Sequence, residues 1–352
     1  KGNSTLFGLA GDGPAGIQAL LGELADMLPP GMPPPFLGGA SFEEPATLPL
    51  LLSFNEFFPG RTFQGYPELA IRPADEGSSS MNEALALRLI ADSGQVSQDF
   101  SWVEFSINGS SSATRLVIEN PNQQYAYSIN QGMGVLFKST SENDFEYKGQ
   151  DITNYVDDFD QINAVGTMDL APVMSFLGWM DSASDEVFAA ELEQWLEISS
   201  FAKYVVTQDL LGNFDDMAGP GRNFLLWYSL ETSKFTVITW DMNLALIGDS
   251  PMAAMLTGPP SGFMGDIFTK MAEMPGMPKF GNQLKDRFMA SEVFRDDIAA
   301  ARQELSSLWT ADYANTLIDQ FSLVVPPTTI LNSAAIAQDI EQLKKNISTM
   351  LR

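Results

Sequence analysis

The 352 residues include no cysteine and no histidine. The first absence removes disulfides, thiolate nucleophiles and thiolate zinc sites. The second removes imidazole ligands and every catalytic triad built on an imidazole. Proton transfer must fall to Asp, Glu, Lys or Tyr, and any metal must be a hard cation held by oxygen, meaning Mg²⁺, Mn²⁺ or Ca²⁺. Positive charge is also scarce: 19 Lys and Arg stand against 45 Asp and Glu, for a net charge of −26. A surface of that sign repels DNA, RNA and anionic lipid at long range, so nucleic-acid binding is not expected. It favours solubility and attracts cations, and it fits an acidic secreted or salt-adapted protein; an extracellular or cell-surface location is expected. Long apolar runs are missing as well. No stretch approaches the ~20 residues of a membrane helix, and no membrane insertion is expected. The lack of cysteine does not itself fix the compartment.

What is present is ordinary globular composition, 45% hydrophobic and 18% charged, enough for a large core or two lobes. The chain opens at Lys1-Gly2-Asn3-Ser4-Thr5 with no recognisable leader, and further sequence upstream is expected. Residues 8–44 are rich in Gly and Pro and read as an irregular insertion, with one short helix at Ala15–Met27. Apolar or alternating runs predict strands at 48–54, 68–72, 102–107, 113–119 and 135–138, the third and fourth joined by an Asn108-Gly109 turn. Ser80 and Glu83 have capping-box spacing and open a helix over 81–93 that Gly94 ends. Residues 144–160 carry many acids and are expected at the surface. A helix near 186–196 precedes a second one, capped by Ser199 or Ser200 and stopped at Gly212. Two β-rich runs follow, Phe224–Tyr228 and Phe235–Trp240, and then a Met-rich loop over 252–277. The last third repeats apolar residues at helical spacing. Strands first and helices later make the class α+β. The expected division is an N-terminal β-rich lobe over 1–140 and a mostly helical lobe over 141–352 that carries the site.

The chemistry concentrates around the second hairpin. If Tyr228 faces Phe235, position 223 falls opposite position 240, and Asn223 and Asp241 lie side by side at the open end. Asp215 enters from the loop after the preceding helix, and Asn243 follows Asp241 by two residues. Asn223 and Asp241 can chelate Mg²⁺ and leave positions for phosphate oxygens and water. Asp215 is spaced to take a hydroxyl proton. Protein kinases use this order of parts: a catalytic-loop Asp, then an Asn, then a metal-binding Asp. The plain alternatives stay open at this point. Asp215-Asp216 also suits a solvated turn, Asp241 and Asn223 suit turn positions, Trp240 and Trp227 suit a core or rim, Lys138 an exposed surface, and Glu119 an ion pair with Arg115 or Lys138.

The ordered set Lys1-Gly2-Asn3-Ser4-Thr5, Met81–Leu89, Ile107-Asn108-Gly109 with Val117-Ile118-Glu119, Leu136-Phe137-Lys138, Gly212-Asn213-Phe214-Asp215, Asn223–Trp227 and Trp240-Asp241-Met242-Asn243 resembles the spore-coat CotH kinase family. The resemblance spans nearly the whole chain. It implies a reduced, atypical kinase-like two-lobed fold, ATP with Mg²⁺ or Mn²⁺, and phosphoryl transfer to Ser or Thr of a protein substrate. By the match, Asp215 is the catalytic acid/base. Asn223, Asp241 and Asn243 hold metal. Trp240, Lys138 and Glu119 lie on the nucleotide side, with Trp240 a platform for adenine. The family's basic N-terminal strand is matched here by Leu48–Phe54, which has no cation; Arg61 and Arg72 are the candidates to replace it. That departure supports the alternative of a catalytically weak or inactive module used in surface assembly. A glycoside hydrolase using two carboxylates is a third reading, for which the sequence specifies no pair.

Overall fold

The computed structural model describes residues 40–164, 170–248 and 281–351. The Lys1–Thr5 motif, the Gly/Pro-rich insertion as far as residue 39, its expected helix and the Met252–Met277 loop lie outside the described residues. The chain divides into two compact units that interleave along the sequence. One takes the chain up to Ala84, Asp99–Asn120 and Ile318–Gln342; the other takes Leu85–Gln98, Pro121–Leu317 and Leu343–Arg352.

The first unit is built on an antiparallel sheet in the order β1-β2-β4-β3. Its strands are β1 (Leu50–Ser53), β2 (Glu68–Ile71), β3 (Phe100–Phe105) and β4 (Ala113–Glu119). β3 and β4 form the expected hairpin around Asn108 and Gly109, whose φ angles of 50° and 80° are those a tight turn demands. β4 is central and buried along nearly its whole length, which explains its continuous apolar run. Arg115, in the middle of it, is buried too. Its guanidinium donates to the carbonyls of Leu48 and Arg72 and lies over the Phe105 ring, and desolvation lowers its pKa to about 10. Its described hydrogen bonds thus go to backbone carbonyls, and among the described residues it makes no ion pair with Glu119. Trp102 packs against Phe100 and Phe321. Ser79 donates twice to Asp339, at 2.8 and 2.5 Å, so the segment 318–342 is held by edge-on and tilted ring contacts and by hydrogen bonds.

Helix α1 (Met81–Asp92) begins where the capping-box spacing places it, and Gly94 follows at φ 75°. Glu83 in its first turn receives both Nε, at 2.8 Å, and Nη2 of Arg72. Arg61 stands over Phe58 instead, 5.4 Å from the ring centroid.

The second unit holds a sheet in the order β6-β5-β7-β8, formed by β5 (Gly134–Ser139), β6 (Phe159–Gln161), β7 (Phe224–Ser229) and β8 (Phe235–Thr239). Gly134 is required at its position: a Cβ there would lie 2.4 Å from the Tyr228 carbonyl oxygen and 2.4 Å from the Trp227 ring. One face of the sheet packs Leu136, Leu225, Trp227, Ile238 and Trp240 on Tyr125, Ala126 and Ile129, the first two of which belong to α2 (Gln123–Ser128). Helices α3 (Ala171–Ser182), α4 (Asp185–Glu191), α5 (Ile198–Leu210), α6 (Gln283–Ala290) and α7 (Arg295–Leu308) build the rest, and α8 (Ala311–Ser322) and α9 (Ser333–Met350) complete the helical last third.

Two local expectations fail for physical reasons. The acid-rich stretch 144–160 is not simply surface: Phe145, Tyr155 and Phe159 are fully buried. Phe145 meets Phe159, Phe176 and Phe224 edge-on, so the aromatics between the acids fasten the segment inward. Buried Asp158 is carried there by Lys148 at 2.6 Å. Ser199 and Ser200 do not cap α5 either. The helix starts at Ile198 after Glu197, with no side-chain cap, because Glu197 N–H and Phe235 N–H bond across a short parallel bridge to β8 at 2.9 and 2.7 Å.

Candidate functional site

The site grows out of the end of α5. Asn213 N–H bonds the Gln208 carbonyl at 2.9 Å and Gly212 N–H bonds the Asp209 carbonyl at 3.1 Å. Those two bonds, with Gly212 at φ 60°, are a Schellman ending, in which a left-handed residue closes the helix and turns the chain. The next residues diverge. Asp216 is buried, accepts Ala218 N–H at 2.8 Å and is ion-paired to Lys285 of α6. Asp215 turns the other way: its Oδ1 accepts Gly221 N–H at 2.6 Å and its Oδ2 accepts Asn223 Nδ2 at 2.9 Å. The pair Asp215-Asp216 is thus one structural anchor and one carboxylate aimed at the hairpin.

The hairpin has the register expected of it. Tyr228 faces Phe235 and Phe224 faces Thr239, so Asn223 and Trp240 are next in line at the open end. Asp241 then takes a left-handed conformation, φ 56° and ψ 71°, and begins a short 3-10 turn, Met242–Leu244. A non-glycine residue at that φ is uncommon and is held by its surroundings. Leu246 N–H bonds the Leu211 carbonyl at 2.7 Å, and Asn346 Nδ2 bonds the Leu246 carbonyl at 2.9 Å. The loop that carries Asp241 is therefore tied to the turn that launches Asp215.

Burial pushes the Asp215 carboxyl up to about 7, and the negative charges of Asp241 and Asp216 push the same way, against the bonds from Gly221 and Asn223. Burial is the largest cause, since a carboxylate withdrawn from water is disfavoured relative to its neutral form. Asp241 is half-buried and Asn243 exposed. Among the described residues no group of three acids is arranged as an all-protein cage. One carboxylate with amide oxygens is instead the donor set of a Mg²⁺ or Mn²⁺ that arrives with phosphates, and Asn223, donating from Nδ2, keeps its Oδ1 for such an ion. By the chemistry of this donor set the residues fit a hard divalent cation.

The structure joins Asn223 to Asp215 directly and places Asp241 near enough for its charge to act on the Asp215 carboxyl, with Asn243 on the same turn as Asp241. Trp240 is only 9% exposed and belongs to the sheet core; Lys138 Nζ stands 4.6 Å from its ring centroid. The ring presented by this pair is therefore faced by a cation. Glu119 ends β4 in the other unit, opposite Leu69, and burial raises its carboxyl to about 7. A cavity of about 440 Å³ is lined by Arg222, Asp144, Glu146, Tyr147, Asp181 and Asp286, among others, and by neither Asp215 nor Asp241. Sequence reasoning missed Gly221 as a backbone donor, although the Gly219-Pro220-Gly221 run marks a turn, and Lys285, for which no local signal exists.

The CotH kinase protein family matches residues 38–343. This chain belongs to that family. With membership in a CotH kinase family, a protein kinase-like function is supported, and with it the use of ATP and a divalent metal in general. No curated protein matched the sequence. Among solved structures it is similar to a Helicobacter pylori proinflammatory kinase, CtkA, at 12% identity and a TM-score of 0.38, over 83% of this chain and 90% of that one. It is also similar to Shewanella oneidensis HipA, solved with HipB and its operator DNA, at 13% identity and a TM-score of 0.36, over 81% of this chain and 58% of that one. Likenesses at that level establish nothing further about this CotH family member. No described helix is long and apolar enough to cross a membrane.

Proposed function

We propose that this CotH kinase family member transfers the γ-phosphoryl group of ATP, with Mg²⁺ or Mn²⁺, to a Ser or Thr hydroxyl of a protein. The observation that carries the proposal is the direct Asn223–Asp215 bond at 2.9 Å, made where the charge of Asp241 reaches the same carboxylate. Asp215 accepts the proton of the acceptor hydroxyl, whose oxygen forms the new P–O bond as the bond to the leaving ADP oxygen breaks. Asn223 and the Gly221 N–H fix the carboxylate in place for that step. Asp241, Asn223 and Asn243 would hold the cation, which would supply neutralisation of charge on the phosphate oxygens. Catalysis of this type rests on positioning and electrostatics. The acidic composition is consistent with work outside the cell, and the acceptor is a protein met there.

The test is incubation of the wild-type chain and Asp241→Ala with radiolabelled ATP and either metal. Label is expected in the chain or in an added acceptor protein, and Asp241→Ala is expected to abolish it. Asp215→Asn is expected to lower turnover by about 10²-fold or more. A wild-type protein that incorporates no label, and that Mn²⁺ with ATP does not stabilise against heat, ends this reading.

One observation favours a second reading, a module that binds without turnover. β1 carries no cation, Arg61 sits on Phe58, and Arg72 is engaged by Glu83. Calorimetry with ATP, run beside the turnover assay, separates the two: heat of binding without incorporated label is the signature of the module.

A further inference from the structure

We infer that Asn213 is a positioning residue that joins the loop of Asp215 to the loop of Asp241 and so sets the geometry between proton acceptor and metal ligand. The inference deepens the kinase reading and rests on it. Three buried side chains form the joint. Asn213 is 3% exposed, Gln208 2% and Met242 0%. Asn213 Nδ2 donates to Gln208 Oε1 at 2.8 Å and to Met242 Sδ at 3.5 Å. Gln208 lies in the last turn of α5, Asn213 is two residues before Asp215, and Met242 is the residue after Asp241.

The Schellman ending explains why these meet. The bond of greater sequence span runs from Asn213 N–H to the Gln208 carbonyl, so backbone and side chain of Asn213 both close on one residue of the helix. The second Nδ2 contact then reaches across to the hairpin loop. The Leu246–Leu211 bond at 2.7 Å fastens that loop to the same turn by its other end. Asp215 and Asp241 thus hang from one short piece of chain, Leu211–Asn213, by two separate links.

A purely structural role fits the chemistry less well. Asn213 Oδ1 and Gln208 Nε2 are buried with no hydrogen-bond partner among the described residues. Leaving buried polar atoms unpaired is costly, and apolar side chains would fill the space without that cost. What the amide supplies is one directional bond to the end of α5 and another to the turn after Asp241.

The experiment measures kcat and KM for ATP with Mn²⁺ in Asn213→Ala, in Met242→Leu, and in Asn213→Ala combined with Asp215→Asn. Met242→Leu keeps the volume and removes the sulfur acceptor, so it reports on the joint even where Asn213→Ala folds poorly. A small displacement of catalytic groups costs on the order of 10²-fold. The expected result is a fall in kcat of about tenfold or more for Asn213→Ala, with KM changed by less than about threefold, and a smaller fall for Met242→Leu. In the Asp215→Asn background the Asn213 substitution is expected to add nothing, since groups that act as a unit are not additive. Losses that multiply, or a kcat within about threefold of wild type, overturn the inference while label incorporation by the wild type leaves the kinase reading intact. If the wild type binds Mn²⁺ and ATP without turnover, the joint is read as a reduced heat stabilisation of Asn213→Ala by the pair, and an unchanged stabilisation overturns it. A wild type that neither turns over nor binds removes the kinase reading and this inference with it.

Discussion

Gly221 leaves no room for a methyl group. A Cβ on it would stand 2.6 Å from both Asn223 Nδ2 and Asp215 Oδ2, and 2.8 Å from Asp215 Oδ1. Those are the atoms of the bond that carries the functional proposal. Gly221→Ala keeps the N–H that Asp215 accepts but drives the two side chains apart, so it separates positioning from chemical identity. Turnover is expected to fall on the order of 10²-fold, the scale of a small misplacement, while overpacking lowers stability by about 1–3 kcal/mol. Steady-state kinetics beside thermal melting checks this. A variant that melts lower but turns over normally shows that the Asp215–Asn223 bond is dispensable. The two neighbouring acids make the complementary point: Asp215 and Asp216 are chemically identical, and only their partners, Asn223 for one and Lys285 for the other, assign them different work.

At the level of elements, α6 fixes the floor of the loop that carries Asp215 and Asp216. Lys285 reaches Asp216, which is 1% exposed, and Asn282 caps the helix while lying 3.5 Å from the Met217 carbonyl. Removing one partner of a buried ion pair leaves an uncompensated charge. Lys285→Met is therefore expected to cost about 3 kcal/mol in urea unfolding, and Asp216→Asn in the same background to recover part of it. Additive losses from the two substitutions would show that the pair is not a stabilising contact. Lys285 was not legible beforehand because the partners lie 69 residues apart and nothing near either predicts the meeting. The hairpin was legible, register included, because alternation and the polar turn between β7 and β8 are local signals. So were β4, α1 and the Gly212 stop. The inward turn of Phe145 and Phe159 was not, since the acids around them dominate the local pattern and only tertiary packing decides which side chains go in. Asn213 stood in a recognised motif, yet its partners Gln208 and Met242 emerge only when the helix ending and the hairpin loop are folded together.

For the molecule as a whole, 45 acids against 19 bases make self-repulsion a standing cost above the acid range. Burial works in the same direction on particular carboxyls. Desolvation raises Glu119 to about 7, and it also raises Asp339 and Asp158 above their ordinary values. A carboxyl whose folded pKa exceeds its unfolded one binds more protons in the native state across the interval between them. Stability then falls as pH rises through that interval, for Glu119 from its ordinary 4.5 to about 7. This is the reverse of the usual salt-bridged carboxylate. The melting temperature is accordingly expected to be higher near about pH 6 than near about pH 8, where Glu119 is charged. Salt distinguishes the two contributions. Between about 0.01 M and 1 M the screening length shrinks from about 30 to about 3 Å, which removes the long-range repulsion and leaves the burial of Glu119 largely untouched. Glu119→Gln is expected to melt higher than wild type at pH 8 in either salt and to reduce the remaining slope at high salt, leaving the part that Asp215, also pushed up to about 7, contributes. A wild-type melting temperature that stays level or climbs from pH 6 to pH 8 would show that neither buried carboxyls nor net charge governs the pH response, and a Glu119→Gln variant that keeps the full slope at high salt would show that Glu119 has no part in it.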